Sequence, residues 1–185
     1  MVNVNDFKTG MTISYEGNIY VVIDYQHVKP GKGAAIVKAK LKNLRTGSIA
    51  EYSFGAGTKV ATAHINKQLM QFLYSTGSTY SFMNMETYEQ IDLDESQIKN
   101  ESKYLKDGLE VYITFYESEM LGIELPEKIT YKITKTEPAT KGNTATNATK
   151  DAIIETGMLV RVPLFIEEGE EIIVSTKDGK YVSRK

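Results

Sequence analysis

The chain has 185 residues, 41% hydrophobic and 25% charged, with a net charge of −2 and no cysteine. The length accommodates one domain or several small ones, and the apolar fraction suffices for packed cores. Without cysteine there is no disulfide scaffold, thiol nucleophile or Cys-type zinc site, which suits a cytoplasmic protein. The amino terminus lacks an apolar targeting segment and no stretch approaches the length of a membrane span, so no membrane partner is expected. The net charge conceals an uneven spread: residues 1–62 carry +4, residues 63–127 carry −8 and residues 128–185 carry +2. Basic, acidic and weakly basic thirds point to a modular chain.

In the first third, Thr12–Tyr15 and Ile19–Ile23 are predicted strands joined by a turn at Gly17-Asn18. Val28-Lys29-Pro30-Gly31-Lys32-Gly33-Ala34-Ala35 follows. Pro30-Gly31 is a turn dipeptide, since proline presets φ and glycine accepts a positive φ, and Gly33 frees the backbone beyond Lys32. A lysine between glycines, with no bulky neighbour to pack on, is presented outward. From Ile36 to Asn43 the residues alternate, with Val37, Ala39 and Leu41 on one strand face and Lys38, Lys40 and Lys42 on the other. No Asp or Glu occurs from Tyr25 to Ala50. Arg45-Thr46-Gly47-Ser48 turns into a strand over Ile49–Phe54. The unit, residues 1–62, reads as a small β-barrel of about five strands, with a basic hairpin tipped by Lys32.

Residues 63–127 predict strands over Lys67–Tyr74, Thr79–Met85, Tyr88–Leu93 and Leu109–Glu117. Asp94-Glu95-Ser96-Gln97 has the form of a capping box and predicts a short helix running to Leu105. Residues 128–185 predict strands over Ile129–Thr136, Ala152–Glu155, Leu159–Val162, Glu171–Thr176 and Lys180–Ser183, with a polar loop over Pro138–Lys150. Both units have the size of five-stranded oligonucleotide-binding barrels.

The basic hairpin suits phosphate contact, because lysines that neutralise phosphates release counterions. A merely solvated basic face has the same composition, and both readings are open from these residues alone. A P-loop is excluded, since G-x-x-x-x-G-K-[ST] opening a helix is missing. The chain has two histidines, His27 and His64, and Asp24 lies on the opposite strand face from His27 at period two, so no acid–base pair is expected. The acidic residues Glu86, Glu89, Asp92, Asp94 and Glu95 lack the calcium-loop pattern, and no metal site is expected. Twelve tyrosines suggest stacking platforms or half-buried core positions. No catalytic constellation emerges, and the chain is not expected to be an enzyme.

The segment Val28–Ala35 resembles the corresponding loop of bacterial translation elongation factor P. Asn5-Asp6-Phe7, Lys40-Leu41-Lys42-Asn43-Leu44 with Thr46-Gly47, and Leu121-Gly122-Ile123-Glu124-Leu125-Pro126 match in order. So does the carboxy-terminal pattern Lys150-x-Ala152, Gly157, Val160-x-Val162-Pro163, Ile166 and Gly169, closing on Gly179-x-Tyr181-Val182-Ser183-Arg184. The resemblance implies a KOW/SH3-like barrel followed by two OB-fold barrels in an L-shaped, tRNA-like arrangement. It implies a monomer that binds the ribosome, its RNA and its proteins, between the exit and peptidyl sites beside peptidyl-tRNA. There it would speed bond formation at consecutive prolines, with Lys32 reaching toward the peptidyl-transferase centre.

By the same resemblance Lys29, Pro30, Gly31 and Gly33 form the tip loop, and Lys38, Lys40, Lys42, Arg45, Tyr181 and Arg184 contact RNA. Gly142-Asn143-Thr144-Ala145 would approach the exit-site codon of the mRNA, although Asn143 stands where the family has a carboxylate and Asp151 where it has proline. No cofactor is implied. Family members carry a β-lysyl or an aminopentanol group on the tip lysine, which makes Lys32 a candidate for covalent modification by a dedicated enzyme. A stand-alone single-stranded nucleic-acid binder would use the same barrels without ribosomes, and a structural interaction protein would be indifferent to Lys32. An elongation-factor-P-like paralogue is disfavoured by the Lys-Pro-Gly-Lys-Gly loop and the Gly-x-Tyr-Val-Ser-Arg ending.

Overall fold

The computed structural model describes residues 1–138 and 148–185. Its strands form three sheets, and its few helical turns are short 3-10 segments, so the nearly all-β expectation holds. The chain divides into two compact units, residues 1–68 with 113–122 and residues 69–112 with 123–185. Among the described residues no helix is long and apolar enough to cross a membrane.

The first sheet has six strands: β1 (Val2–Asn3), β2 (Thr12–Tyr15), β3 (Asn18–Val28), β4 (Ile36–Asn43), β5 (Ile49–Gly55) and β6 (Lys59–Thr62). Their order is β1-β6-β2-β3-β4-β5. Val37, Ala39 and Leu41 of β4 are fully buried while Lys40 and Lys42 are exposed, as the alternation predicts. Phe7 meets Phe54 edge-on, with ring centroids 5.9 Å apart, and Tyr15 meets the same ring at 5.2 Å. Tyr15 pairs with Asn18, so the two-residue hairpin turn is Glu16-Gly17, one residue earlier than expected. Both carry positive φ, 49° and 78°, as the primed turns of tight hairpins require. The short strands β1 and β6 escape the sequence pattern, because two- and four-residue strands show too little alternation.

The second sheet has order β11-β10-β7-β8-β9, from β7 (Ile65–Thr76), β8 (Thr79–Asn84), β9 (Gln90–Asp94), β10 (Glu110–Tyr116) and β11 (Glu119–Glu124). Asp94 does build the predicted capping box: its carboxylate accepts from the Ser96 amide at 3.0 Å, and Gln97 Oε1 accepts from the Asp94 amide at 2.9 Å. What it caps is a 3-10 turn, Glu95–Gln97, followed by a second at Ser102–Tyr104, and not a helix to Leu105. Ile98, Tyr104 and Leu105 are the buried anchors of this stretch. They are too widely spaced to give a helix a continuous apolar face.

The third sheet, β14-β13-β12-β15-β16, comprises β12 (Lys128–Thr136), β13 (Thr149–Ile154), β14 (Leu159–Pro163), β15 (Glu171–Ser175) and β16 (Tyr181–Arg184). Its core is built on fully buried Tyr131, Ile133, Val162, Ile166, Ile172 and Val174. The Tyr131 hydroxyl donates to the Tyr104 carbonyl, and Lys106 Nζ donates to the Thr130 carbonyl from 5.5 Å above the Tyr131 ring. Burial pushes the Tyr131 phenol well above its usual range.

Candidate nucleic-acid interface

The β3–β4 hairpin carries the lysine tip. Its pairing runs without a break from Asp24↔Lys40 to Val28↔Ile36, leaving residues 29–35 as the loop. Lys29, Pro30, Gly31, Lys32 and Gly33 are all exposed. The positive φ falls on Gly33, at 108°, and not on Gly31 as the Pro-Gly pair suggests. The backbone therefore bends after Lys32. Lys32 stands in the loop that closes the β3–β4 hairpin, which β5 lines as far as Ile36↔Gly55, and its ammonium makes no ion pair or hydrogen bond among the described residues.

The lysine row below the tip is less uniform than it reads in sequence. Residues directly opposite in an antiparallel pair share a face. Lys38 lies between Gln26 and Ser53, and Lys42 between Val21 and Ile49. Lys40, by contrast, lies between Asp24 and Glu51, the carboxylates that bound the acid-free stretch on either side. The register thus places two acids beside the middle lysine. Tyr25 and His27 lie on the opposite face, with their rings edge-to-face at 6.0 Å.

Arg45 lies in the turn expected between the strands β4 and β5, and the residue that anchors this turn is Asn43. Buried Asn43 accepts from the amides of Arg45 and Thr46 through Oδ1, at 2.8 and 3.2 Å, which fixes the β4–β5 connection. The Arg45 side chain then donates to both Glu119 oxygens and to the Gly17 carbonyl. These bonds hold the Glu119 carboxyl below its usual pKa and raise that of Arg45. Glu119 carried no signal in the sequence, because 74 residues separate it from its partner.

In the third sheet, β16 pairs Tyr181 with Val174, Ser183 with Ile173 and Arg184 with Ile172, skipping Val182. Residues three apart in a regular strand face opposite ways, but this bulge puts Tyr181 and Arg184 on one face. Tyr181 packs partly against the core. Arg184 pairs with Glu170, and its Cζ lies 5.2 Å from the Phe165 ring centroid. The codon-proximal residues Gly142, Asn143, Thr144 and Ala145 lie outside the described residues. Of the acidic residues considered for a metal, Asp92 accepts from Ser81 Oγ at 2.6 Å and Asp94 serves as the cap. Among the described residues no three His, Cys, Asp or Glu side chains converge to hold a metal ion.

Residues 3–60 match the elongation factor P KOW-like domain, residues 65–123 its OB domain and residues 129–184 its C-terminal domain. The three modules in this order define a translation elongation factor. The chain belongs to the elongation factor P family. Among solved structures, a eukaryotic translation initiation factor 5A from Methanococcus jannaschii superposes with a TM-score of 0.54 at 25% identity, covering 67% of this chain and 93% of that one. A translation initiation factor eIF-5A family protein from Naegleria fowleri, 15% identical, shares the fold with a TM-score of 0.52, covering 67% of this chain and 96% of its own.

Proposed function

We propose that the protein binds the ribosome between the exit and peptidyl sites, beside peptidyl-tRNA, and stimulates peptide bond formation at consecutive prolines. The observation that carries this reading is Lys32, exposed in the loop that closes the β3–β4 hairpin and unengaged by any described residue. An ammonium on a flexible stem at such a point can meet the backbone of the tRNA end. Proline reacts poorly because its amine is secondary and its ring restricts approach. Holding the peptidyl-tRNA end in place recovers proximity and orientation without a catalytic group of the factor's own. The peptidyl-transfer chemistry stays with the ribosome, and the factor is not an enzyme.

Lys29, Lys38 and Lys42 supply the arm's phosphate contacts, with Lys40 contributing less because Asp24 and Glu51 flank it. Tyr181 and Arg184 contact RNA from the third sheet, and the loop holding Gly142, Asn143, Thr144 and Ala145 approaches the exit-site mRNA. Lys32 is the group a modifying enzyme would extend, since it is exposed and has space around it. The protein acts as a monomer in the cytoplasm, where ribosomes translate.

The test is translation of a reporter with three consecutive prolines on purified ribosomes, adding wild-type protein or Lys32→Ala. Relief of the stall by wild type and not by Lys32→Ala is expected. Equal relief by both removes the role assigned to Lys32. Failure of the native, fully modified protein to relieve the stall overturns the reading.

A further inference from the structure

Phe165 is a large apolar side chain turned outward at the end of β14, 58% exposed. Its neighbour Ile166 is fully buried and its amide donates to the Pro163 carbonyl at 3.2 Å, so the turn that anchors Ile166 turns Phe165 to solvent. The exposed ring lies under the guanidinium of Arg184, 5.2 Å from its Cζ.

Glu170 holds the same guanidinium by an edge. One carboxylate oxygen accepts from Arg184, and the other accepts from the Glu167 amide at 2.8 Å. With both oxygens engaged, the carboxylate cannot rotate without breaking its own turn. The backbone is fixed as well: Arg184 pairs with Ile172, and the Lys185 amide donates to the Glu171 carbonyl at 3.1 Å.

We propose that Phe165 and Glu170 position Arg184 as a preformed plane on which an unpaired RNA base stacks, an inference that rests on the ribosome-binding reading above. The guanidinium carbon lies over the phenyl ring, and one terminal nitrogen is held by the carboxylate. The side chain is still 55% exposed, so the face away from the ring is open. Guanidinium planes stack on bases, and a plane already held in place loses less freedom on binding. The surroundings favour a base over a phosphate. Glu167, Glu168, Glu170 and Glu171 crowd this turn, the nearby Lys185 is already paired with Glu171, and Lys150, the other cation that acts on Glu170, is buried. A phosphate would meet that acidic field at full charge, whereas the neutral face of a base would not.

The test is binding of the full-length protein to purified ribosomes stalled with peptidyl-tRNA at consecutive prolines, titrated across salt concentrations. Phe165→Ala is expected to weaken binding about tenfold, within the range for losing one stacked base, with an unchanged salt slope because no charge is removed. Phe165→Tyr keeps wild-type affinity, while Phe165→Leu, which fills the site without a π face, loses it as alanine does. Phe165→Ala combined with Arg184→Ala binds no more weakly than Arg184→Ala alone, as expected of residues acting as a unit. Wild-type affinity in Phe165→Ala, equal affinity of the Leu and Tyr variants, or multiplying losses in the double variant would overturn the proposal and leave the ribosome-binding reading intact. Failure of wild type itself to bind overturns both. Should Phe165→Ala unfold early, the comparison of Tyr with Leu decides alone.

Discussion

The Arg45 guanidinium clasps the Glu119 carboxylate, Nε to Oε1 at 3.0 Å and the second terminal nitrogen to Oε2 at 2.9 Å, while its first terminal nitrogen donates to the Gly17 carbonyl at 2.6 Å. All three residues lie in the first compact unit. The planar fork of arginine suits this two-point grip, which lysine could not reproduce. The side chains are 34% and 47% exposed, so the pair is screened by salt. Because Glu119 is depressed in the folded state, its contribution is fully present above the ordinary carboxylate pKa and lost as pH falls through the lowered folded value. Arg45→Ala is expected to unfold at a lower temperature than wild type at neutral pH and low salt. The difference should shrink in strong salt and vanish in acid. Thermal melts over a pH series check this, and a gap that survives acid would show that Arg45 acts mainly through Gly17.

The two glycines of the tip are expected to behave differently. Gly31 has an ordinary φ and open space where a Cβ would sit, so Gly31→Ala should leave structure and activity nearly unchanged. Gly33 has a φ of 108°, which L side chains rarely adopt, so Gly33→Ala is strained by about 1–2 kcal/mol. The strain sits in an exposed loop, and the chain relieves it by moving the tip instead of unfolding. Gly33→Ala should therefore keep nearly wild-type thermal stability and lose polyproline stimulation, measured with the same reporter. Full activity in Gly33→Ala would mean that the tip need not hold this backbone.

Lysines on one strand face are expected to differ in how strongly they tie the protein to RNA. Removing a phosphate contact lowers the salt slope of binding by about one. Lys38→Ala and Lys42→Ala should each approach that loss, and Lys40→Ala should fall short of it because Asp24 and Glu51 lie opposite. Lys40→Glu sets three carboxylates in a cross-strand row and should destabilise the sheet as well. Ribosome-binding isotherms at several salt concentrations, together with urea denaturation, separate the two effects. Equal slopes for all three alanine variants would refute the cross-strand shielding.

How much of this was legible in the sequence follows from how local each cause is. The alternation in β4 and the capping box at Asp94 depend on neighbours a few residues apart, and both appear as read. The shielding of Lys40 depends on register, set by which residues of β3 and β5 fall opposite, and no periodicity within one strand reveals it. The shared face of Tyr181 and Arg184 needs a bulge that parity counting does not see. The return strand β11 follows the turn Glu117-Ser118, where Glu117 takes a φ of 56° with no Gly, Asn or Pro to announce it. The expected helix failed for the opposite reason: its start signal was sound, but nothing beyond it supplied an apolar face.

Tyr131 offers the sharpest test of the second unit. Its ring is fully buried, its hydroxyl donates to the Tyr104 carbonyl, and Lys106 lies over its face. Tyr131→Phe keeps the packing and the ring under Lys106 but strands a carbonyl, at a cost of about 1–3 kcal/mol. Tyr131→Ala adds a cavity and should cost about 3–5 kcal/mol or prevent folding. The raised phenol also sets a pH limit. A group whose folded pKa exceeds its unfolded value stabilises the fold below the unfolded pKa, and that stabilisation is lost as pH rises. Wild type should thus lose stability above about pH 10, the unperturbed tyrosine pKa, and Tyr131→Phe should lose less over the same range. Urea denaturation at neutral pH and again in the alkaline range measures both. Parallel loss in the two proteins would assign the alkaline limit to other groups and leave Tyr131 a packing role alone.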